Sequence, residues 1–535
     1  MRLKNDMIIK DKGHAKNVLI SLLYGLICGA ITGIVIFAFK WVAHRAEVLS
    51  KKAYAWAIGS PLYIALIFVG LIVLALAVAF LHKKLPEVRG GGISRSEGVL
   101  RGTLPFKAGR TLLGTLIGSL IAFIAGLPLG CEGPAVLIGT AIGGLIAIIV
   151  GQRYSWGRYV MTGGAAAGFA VVTGAPLSGI VFALEEVHRR FTPLLVLTVA
   201  VSVISASLVN GYLCSLVGES TAMFEMPIFK AFELSHVHYL LLLGVLIAVA
   251  VALFDGAITH VSALTKKFKK YINRTVKLVL VFIITGVLAL TLADSVYSGH
   301  SLIKEIVGGN KILSAVIVLF VVRFIMMLVV TDSGATGGIF VPTLAIGALV
   351  GAISAELLIC LGLPREYYSV VVMISCCAFM GGTLRAPLIG TVLFLELGGQ
   401  FINLLPVVLV VFVVTVLTEA LNLTSSYDKV LHNMEEHAHE GYTAQTAFFE
   451  ATVGESAFVI DKTVRDVMWP NTTVVVGIRH ANAADDIGVE RKIDFGDTLI
   501  FYSKYYDEER IIKSIKGLLG QDSQITKRHD VDAKA

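Results

Sequence analysis

The chain has 535 residues, 56% of them hydrophobic and 16% charged, with a mean hydropathy of +0.80. Apolar runs long enough to span a bilayer recur from about residue 17 to residue 424, which excludes a soluble class and reads as an all-α polytopic membrane protein. The net charge of +7 lies in clusters between those runs, so it reads as topology and not as a nucleic-acid surface.

Residues 1–16 form a polar cytoplasmic head carrying Arg2, Lys4, Lys10, Lys12 and Lys16, with no cleavable signal peptide evident. Spans follow over about 17–45 and 61–82. The link from Lys83 and Lys84 to Arg89 is basic again, so both ends of this hairpin should face the cytoplasm. Next come Gly90-Gly91-Gly92-Ile93-Ser94 and Glu97-Gly98; a glycine triplet alone reads as a flexible connector. The stretch Gly130-Cys131-Glu132-Gly133-Pro134 then sets one carboxylate between glycines, at the mouth of an apolar helix running to Val150. Pro134 suits the first helical position, because its missing N–H and fixed φ cost nothing there. The glycines leave the first N–H groups uncovered, and such a helix start attracts anions through free donors and its dipole. An acidic side chain at that place can fill the anion site when ionised and vacate it when protonated.

From 108 to 215, short apolar helices are broken by glycine and alanine, which lets membrane helices approach closely. Within them Ala175-Pro176-Leu177-Ser178-Gly179 runs into Phe182-Ala183-Leu184-Glu185-Glu186. Spans near 237–258 and 276–296 flank a basic patch of Lys266, Lys267, Lys269, Lys270 and Arg274. A second dense region, about 311–424, echoes the first. Pro134 to Gly139 matches Pro342 to Gly347 at a separation of 208, and Ala175-Pro176-Leu177 matches Ala386-Pro387-Leu388 at 211, with Leu397 in the place of Glu186. Two similar halves of broken helices point to a transporter repeat with its substrate site near the midplane. Cys28, Cys131, Cys214, Cys360, Cys376 and Cys377 show no ligand spacing, so no metal or cofactor is expected. Neither Gly-x-Ser-x-Gly nor His-Glu-x-x-His occurs, so the chain does not read as an enzyme.

Three signatures in order carry a resemblance. Gly90-Gly91-Gly92-Ile93-Ser94 stands for Gly-Ser-Gly-Ile-Pro, Gly130-Cys131-Glu132-Gly133-Pro134 for Gly-Arg/Lys-Glu-Gly-Pro, and Gly338-Ile339-Phe340-Val341-Pro342 for Gly-Ile-Phe-x-Pro, with Tyr427 following. From about 17 to 437 the chain thus resembles the CLC family of chloride channels and chloride/proton exchangers. The resemblance implies an inverted two-repeat fold of tilted and broken helices in the cell membrane, both termini cytoplasmic. It also implies a homodimer with one pore per subunit. Gly91, Gly92, Ile93, Gly133, Ile339 and Phe340 would then lie at helix starts converging on chloride, with Tyr427 adding a phenolic O–H. Partial dipole charges hold a dehydrated halide without the grip of a full Lys or Arg, so it can leave again.

Glu132 matches the family's gating glutamate, and Glu186 the internal proton-transfer glutamate that the exchangers carry. A carboxylate near the bilayer centre costs ~2.5–3.5 kcal/mol on insertion scales, which makes it a functional residue by default. Glu185 reads as a helper or surface acid. Glu396, Glu419, Asp255, Asp294 and Asp332 read as packing pairs or interface groups, with Arg323 and Arg385 as partners. Ser425 and Asp428 have capping-box spacing at the start of the last short helix. Three departures matter: Gly91 lacks the family's serine hydroxyl, Ser94 replaces a proline, and Cys131 replaces a cation on the outer approach. Tyr427 and Glu186 argue against the fluoride branch. The expected function is chloride/proton antiport, with a passive voltage- or ligand-gated chloride channel as the alternative. A potassium transport subunit lacks any Thr-Val-Gly-Tyr-Gly-like filter.

Composition changes after Met434. Residues 438–450 read as a linker, 451–520 as a small cytoplasmic α+β domain, and 521–535 as a disordered tail. Phe458–Ile460, Thr473–Arg479 and Thr498–Ser503 read as strands and Tyr506–Leu519 as a helix. The segment resembles the TrkA-C (RCK-C) domain, which implies dimerisation and sensing of a small regulatory ligand; the Gly-rich Rossmann fingerprint is missing.

Overall fold

The computed structural model describes all residues except 1, 152–155, 225, 269–272, 439–442, 471, 480–491 and 529–535. Lys269 and Lys270 of the basic patch, part of the expected linker and the end of the expected tail lie outside the described residues. The apolar part is a succession of helices: α1 (Arg2–Ala57), α2 (Pro61–Lys84), α3 (Gly92–Arg101), α4 (Ala108–Ile124), α5 (Glu132–Ile149) and α6 (Gly157–Thr173). Next are α7 (Pro176–Val181), α8 (Pro193–Val217), α9 (Val237–Phe268), α10 (Arg274–Thr291), α11 (His300–Val307) and α12 (Leu313–Ser333). The run ends with α13 (Phe340–Cys360), α14 (Tyr368–Leu384), α15 (Pro387–Gly398), α16 (Leu404–Ala420) and α17 (Ser426–Ala438).

Among the described residues nine helices are long and apolar enough to cross a bilayer. Others, such as α3 and α7, stop far short, which lipid tolerates only where protein groups satisfy the helix ends, as a carboxylate of α15 does for the first amides of α7. Glycine sets the tightest crossings. A methyl group on Gly29 of α1 would lie 2.2 Å from the Ser202 carbonyl oxygen of α8. Gly139 of α5 and Gly164 of α6 meet as closely, at 2.0 and 2.2 Å from one another's carbonyl oxygens.

The echo between the two dense regions is physical. Ala175 precedes α7 at φ −125°, ψ 81°, and Ala386 precedes α15 at φ −129°, ψ 79°. Each alanine follows a residue in the left-handed region, Gly174 at φ 64° and Arg385 at φ 62°. The two helix starts also cap each other. Glu185 accepts from the amides of Leu388 and Ile389 at 2.9 and 2.8 Å, and Glu396 accepts from those of Leu177 and Ser178, both at 2.7 Å. Both glutamates lie nine residues after their own proline. Glu185 is therefore neither a surface acid nor an accessory to Glu186; it closes the other half's helix. One difference stands out: after Val181 the first half widens into a π-helical turn over Phe182–His188, whereas α15 stays α-helical to Gly398.

The C-terminal part is α+β, with β1 (Gln445–Thr452), β2 (Thr473–Arg479), β3 (Thr498–Tyr505), α18 (Glu508–Leu519) and β4 (Ile525–Arg528) in a sheet of order β2-β3-β1-β4. Three expectations are corrected. Phe458–Ile460 is a turn, in which Phe458 bridges the domain's own core and Trp156 and Tyr159 of the membrane part. The chain becomes a strand already at Gln445, inside the expected linker, where alternate residues of β1 are buried. Residues 525–528 of the expected tail pair antiparallel with β1. The domain is held to the membrane part by Tyr159 Oη donating to the Asp466 carbonyl at 2.9 Å and by Arg510 Nη2 donating to the Leu104 carbonyl at 3.1 Å.

Candidate functional site

Three helix starts meet at one point. Gly130 and Gly338, which precede α5 and α13, exchange both backbone hydrogen bonds across an antiparallel bridge, at 2.7 and 2.8 Å. A Cβ on Gly92 at the start of α3 would sit 2.0 Å from the Gly133 carbonyl oxygen, and one on Gly133 would sit 2.8 Å from Gly338 Cα. No other residue fits at these positions. Gly91 is different: its Cβ would meet nothing closer than 3.8 Å, so a serine would be accommodated and the missing hydroxyl is not a packing necessity. α5 begins at Glu132, two residues before the expected Pro134. The proline still falls in the first turn, where amides have no intrahelical partner, so the argument for it stands. Gly92, Ile93, Gly133, Ile339 and Phe340 are all buried at these starts, with Ser94 in place of proline and α3 beginning at Gly92 regardless.

Glu132, the first residue of α5, is fully buried. Its carboxylate lies beside the amides of Glu132 itself and Val341, without reaching full hydrogen-bond geometry with either. One oxygen would stand 2.1 Å from a Cβ at position 130, so Gly130 is glycine to make room for it. The side chain thus occupies the place between two helix starts that an anion would take.

Glu186 is buried in the π turn, 1% exposed, and accepts from the Ser425 hydroxyl at 3.4 Å. The adjacent cations do not pair with its carboxylate. Arg189 turns to Asp428 at 2.5 Å, and His188 shares a hydrogen bond with Thr162 at 2.7 Å. Asp428 also holds Arg101 at 2.8 Å, and Arg101 donates to the backbone carbonyls of Glu186 and Val187 at 3.1 and 3.2 Å. Asp428 therefore closes no capping box; Ser425 alone caps, taking the Tyr427 amide at 3.3 Å. Tyr427, 2% exposed, opens α17, which packs on α3, within electrostatic reach of Glu132, Glu186 and Glu97.

Sequence reasoning missed Glu97, fully buried with both carboxylate oxygens unpartnered and Arg101 3.9 Å away. It also missed Lys40, whose buried Nζ has no hydrogen-bond partner and lies electrostatically close to Cys131 and Glu132. A cation from α1 thus stands near the position where Cys131 removes one. The signal for both was a charge in or beside an apolar run. The remaining acids pair as packing groups: Glu419 with Arg385 at 3.1 Å, Asp255 with Lys429 at 2.5 Å, Asp294 with Lys311 at 2.5 Å and Asp332 with Lys277 at 3.0 Å. Arg323 instead donates to the backbone carbonyls of Asp294 and Val296.

A cavity of about 1390 Å³ leads to the helix starts from the side where α17 and the basic end of α10 lie. It reaches Gly91 and Ile339, and Arg95, Arg274, Lys277 and Lys429 line it. Glu132 is not among its lining residues. This arrangement can draw an anion in through a positive vestibule and hold it on peptide amides. A carboxylate stands at the next position, able to take its place.

Comparison with known proteins gives a consistent picture. Residues 74–419 match the family model described as voltage gated chloride channel. The H(+)/Cl(-) exchange transporter ClcA of Vibrio cholerae is 30% identical over 442 residues, covering 80% of this chain and 92% of that protein. The crystal structure of a slow cyanobacterial Cl-/H+ antiporter superposes with a TM-score of 0.71 at 26% identity, covering 78% of this chain and 98% of that one. A eukaryotic CLC transporter shares the fold, with a TM-score of 0.65 at 22% identity over 77% of this chain and 74% of its own.

Proposed function

We propose, proceeding from the fact that the chain belongs to the voltage-gated chloride channel family, that it exchanges chloride for protons across a membrane. The observation that carries this reading is the Glu132 carboxylate lying among the amides that start α5 and α13. Ionised, it excludes a halide from that place; protonated, it has no charge to hold there and yields. Chloride arrives through the basic vestibule past Gly91 and Ile339 and is held at Gly92, Ile93, Gly133, Phe340 and Tyr427. Anion occupancy and protonation of Glu132 then depend on each other, and that mutual dependence couples the two fluxes. Glu186 carries the proton between Glu132 and the vestibule side. Its burial and its Ser425 contact support that role, as does the commitment of Arg189 and Arg101 to Asp428.

Both termini face the cytoplasm in this reading, which the basic links between spans support. The protein is a homodimer, and its C-terminal sheet is a TrkA-C-like regulatory domain that takes a small ligand; the Tyr159 and Phe458 contacts support a route from that domain to α6. The test is flux in reconstituted vesicles given only a chloride gradient. An antiporter moves protons uphill, whereas a passive chloride channel dissipates the gradient and leaves pH unchanged.

A further inference from the structure

The side of the site away from the vestibule holds a group that the exchange reading has not used. His300, the first residue of α11, points its Nε2 at Glu132 Oε1, 4.0 Å away. Its side chain is 36% exposed, whereas Glu132 is fully buried, so the imidazole has one edge in solvent and the other on the carboxylate. Nδ1 is engaged by the Ser298 hydroxyl at 2.7 Å, and the Phe224 ring packs with its centroid 5.6 Å from that of the imidazole. These contacts fix the ring edge that faces Glu132.

The position of this group along the molecule is set by α1. Tyr24 and Cys28 touch the part of the protein that carries the C-terminal domain, through Trp156 and the Val160 carbonyl. His300 lies instead among the charges of the other end, Lys40, His44, Glu47 and Lys51. Some twenty residues of helix at about 1.5 Å each separate the two levels. His300 therefore stands on the opposite face from the vestibule, and Glu186 and His300 approach Glu132 from opposite sides.

We propose that His300 is the group through which Glu132 exchanges protons with the outer solution, a proposal that rests on the antiport reading. Protonated imidazole gives its Nε2 proton to Glu132 Oε1, leaving neutral imidazole that keeps Nδ1–H on the Ser298 oxygen. Outer water then reprotonates Nε2, and the reverse sequence releases a proton outward. A displacement of about 1 Å closes the gap to hydrogen-bond range. Imidazole suits the task because the nitrogen that faces the carboxylate can both give and take up a proton while Nδ1 stays on Ser298. The charged and titratable groups around it are Glu132 from α5, Lys40, His44, Glu47 and Lys51 from α1, and Arg323 from α12 beside Gly299, with Cys131 next to Glu132. Of these, Glu47 is paired with Lys51 at 2.8 Å.

The full-length protein in vesicles is given a chloride gradient, and uphill proton movement is followed as outer pH is varied. Wild-type protein that pumps no protons refutes antiport itself, before His300 is tested. His300→Asn keeps a hydrogen-bonding group near Ser298 but carries no proton. It should slow proton movement at least about 10-fold and remove the imidazole inflection from the outer-pH profile. A membrane-impermeant imidazole buffer on the outer side alone should restore the rate, which a merely structural defect would not allow. Ser298→Ala keeps the ring and should shift the inflection without abolishing transport. The proposal is overturned if His300→Asn pumps at the wild-type rate, if outer imidazole gives no rescue, or if Ser298→Ala leaves the profile unmoved.

Discussion

The two halves of the membrane part use the same skeleton for different ends. At the first position of α5 stands Glu132; at the matching first position of α13 stands Phe340, packed edge-on against Phe169 at 5.0 Å. Where the first half has Glu186 in a widened π turn, the second has Leu397 in an ordinary helix. Yet the glycine bridge, the alanine–proline starts and the crossed caps of Glu185 and Glu396 are common to both. The lesson is that symmetry builds the cradle, while the proposed proton chemistry rests on the residues that differ between the halves. π turns are rare insertions that tend to sit at functional sites, and here one carries the buried acid of only one half.

The largest effect should come from erasing that asymmetry. Glu186→Leu makes the first half like the second, and proton movement should fall to background while chloride still crosses; Glu132→Gln should make chloride movement insensitive to pH. Vesicle flux with a chloride electrode and a pH dye reads both, and normal proton pumping in both variants would refute the assignments. The shared skeleton is tested next. Glu185→Gln and Glu396→Gln each weaken charge-assisted bonds to two amides, so each should cost about 1–3 kcal/mol. The measurement is thermal melting in detergent; Glu396 also accepts from the Ser178 hydroxyl at 2.6 Å, so its loss should be the larger, and no loss in either variant would break the symmetry argument.

A third pair sharpens it further. Gly174→Ala puts a methyl 2.2 Å from the Thr221 carbonyl oxygen at positive φ and should destabilise clearly. Arg385→Gly at the matching left-handed position relieves backbone strain of about 1 kcal/mol but loses the 3.1 Å pair with Glu419, so its melting point should barely move. A reference outside both halves completes the set. Burial pushes the Lys462 ammonium down to about 8, despite Asp461 and Asp466 nearby. The unfolded chain therefore binds more protons above that value, and stability of the C-terminal domain should rise with pH from about 8 to about 10.4. Lys462→Met should flatten that rise in pH-dependent melting of the domain.

Much of this was legible because glycine and proline report backbone demands directly. The Gly130, Gly133 and Gly338 contacts are of the kind their motifs suggested, and Ala175-Pro176 and Ala386-Pro387 announced equivalent helix starts. What stayed hidden was every contact between residues far apart in the chain. Glu185 and Glu396 each cap a helix some two hundred residues away, and Asp428 was spent on two arginines rather than on its own helix. His300 carries no motif at all; only the fold brings it to Glu132. In the C-terminal domain, β4 is only four residues long and mostly polar, and in β1 the adjacent Phe448 and Phe449 break the apolar/polar alternation.

The paired peptide bonds of Gly130 and Gly338 have one more consequence. They stitch the halves together at the spot where, in a rocking transporter, a seam would open and close. Under the proposed exchange, the Glu132 side chain can change place without either of those two bonds opening.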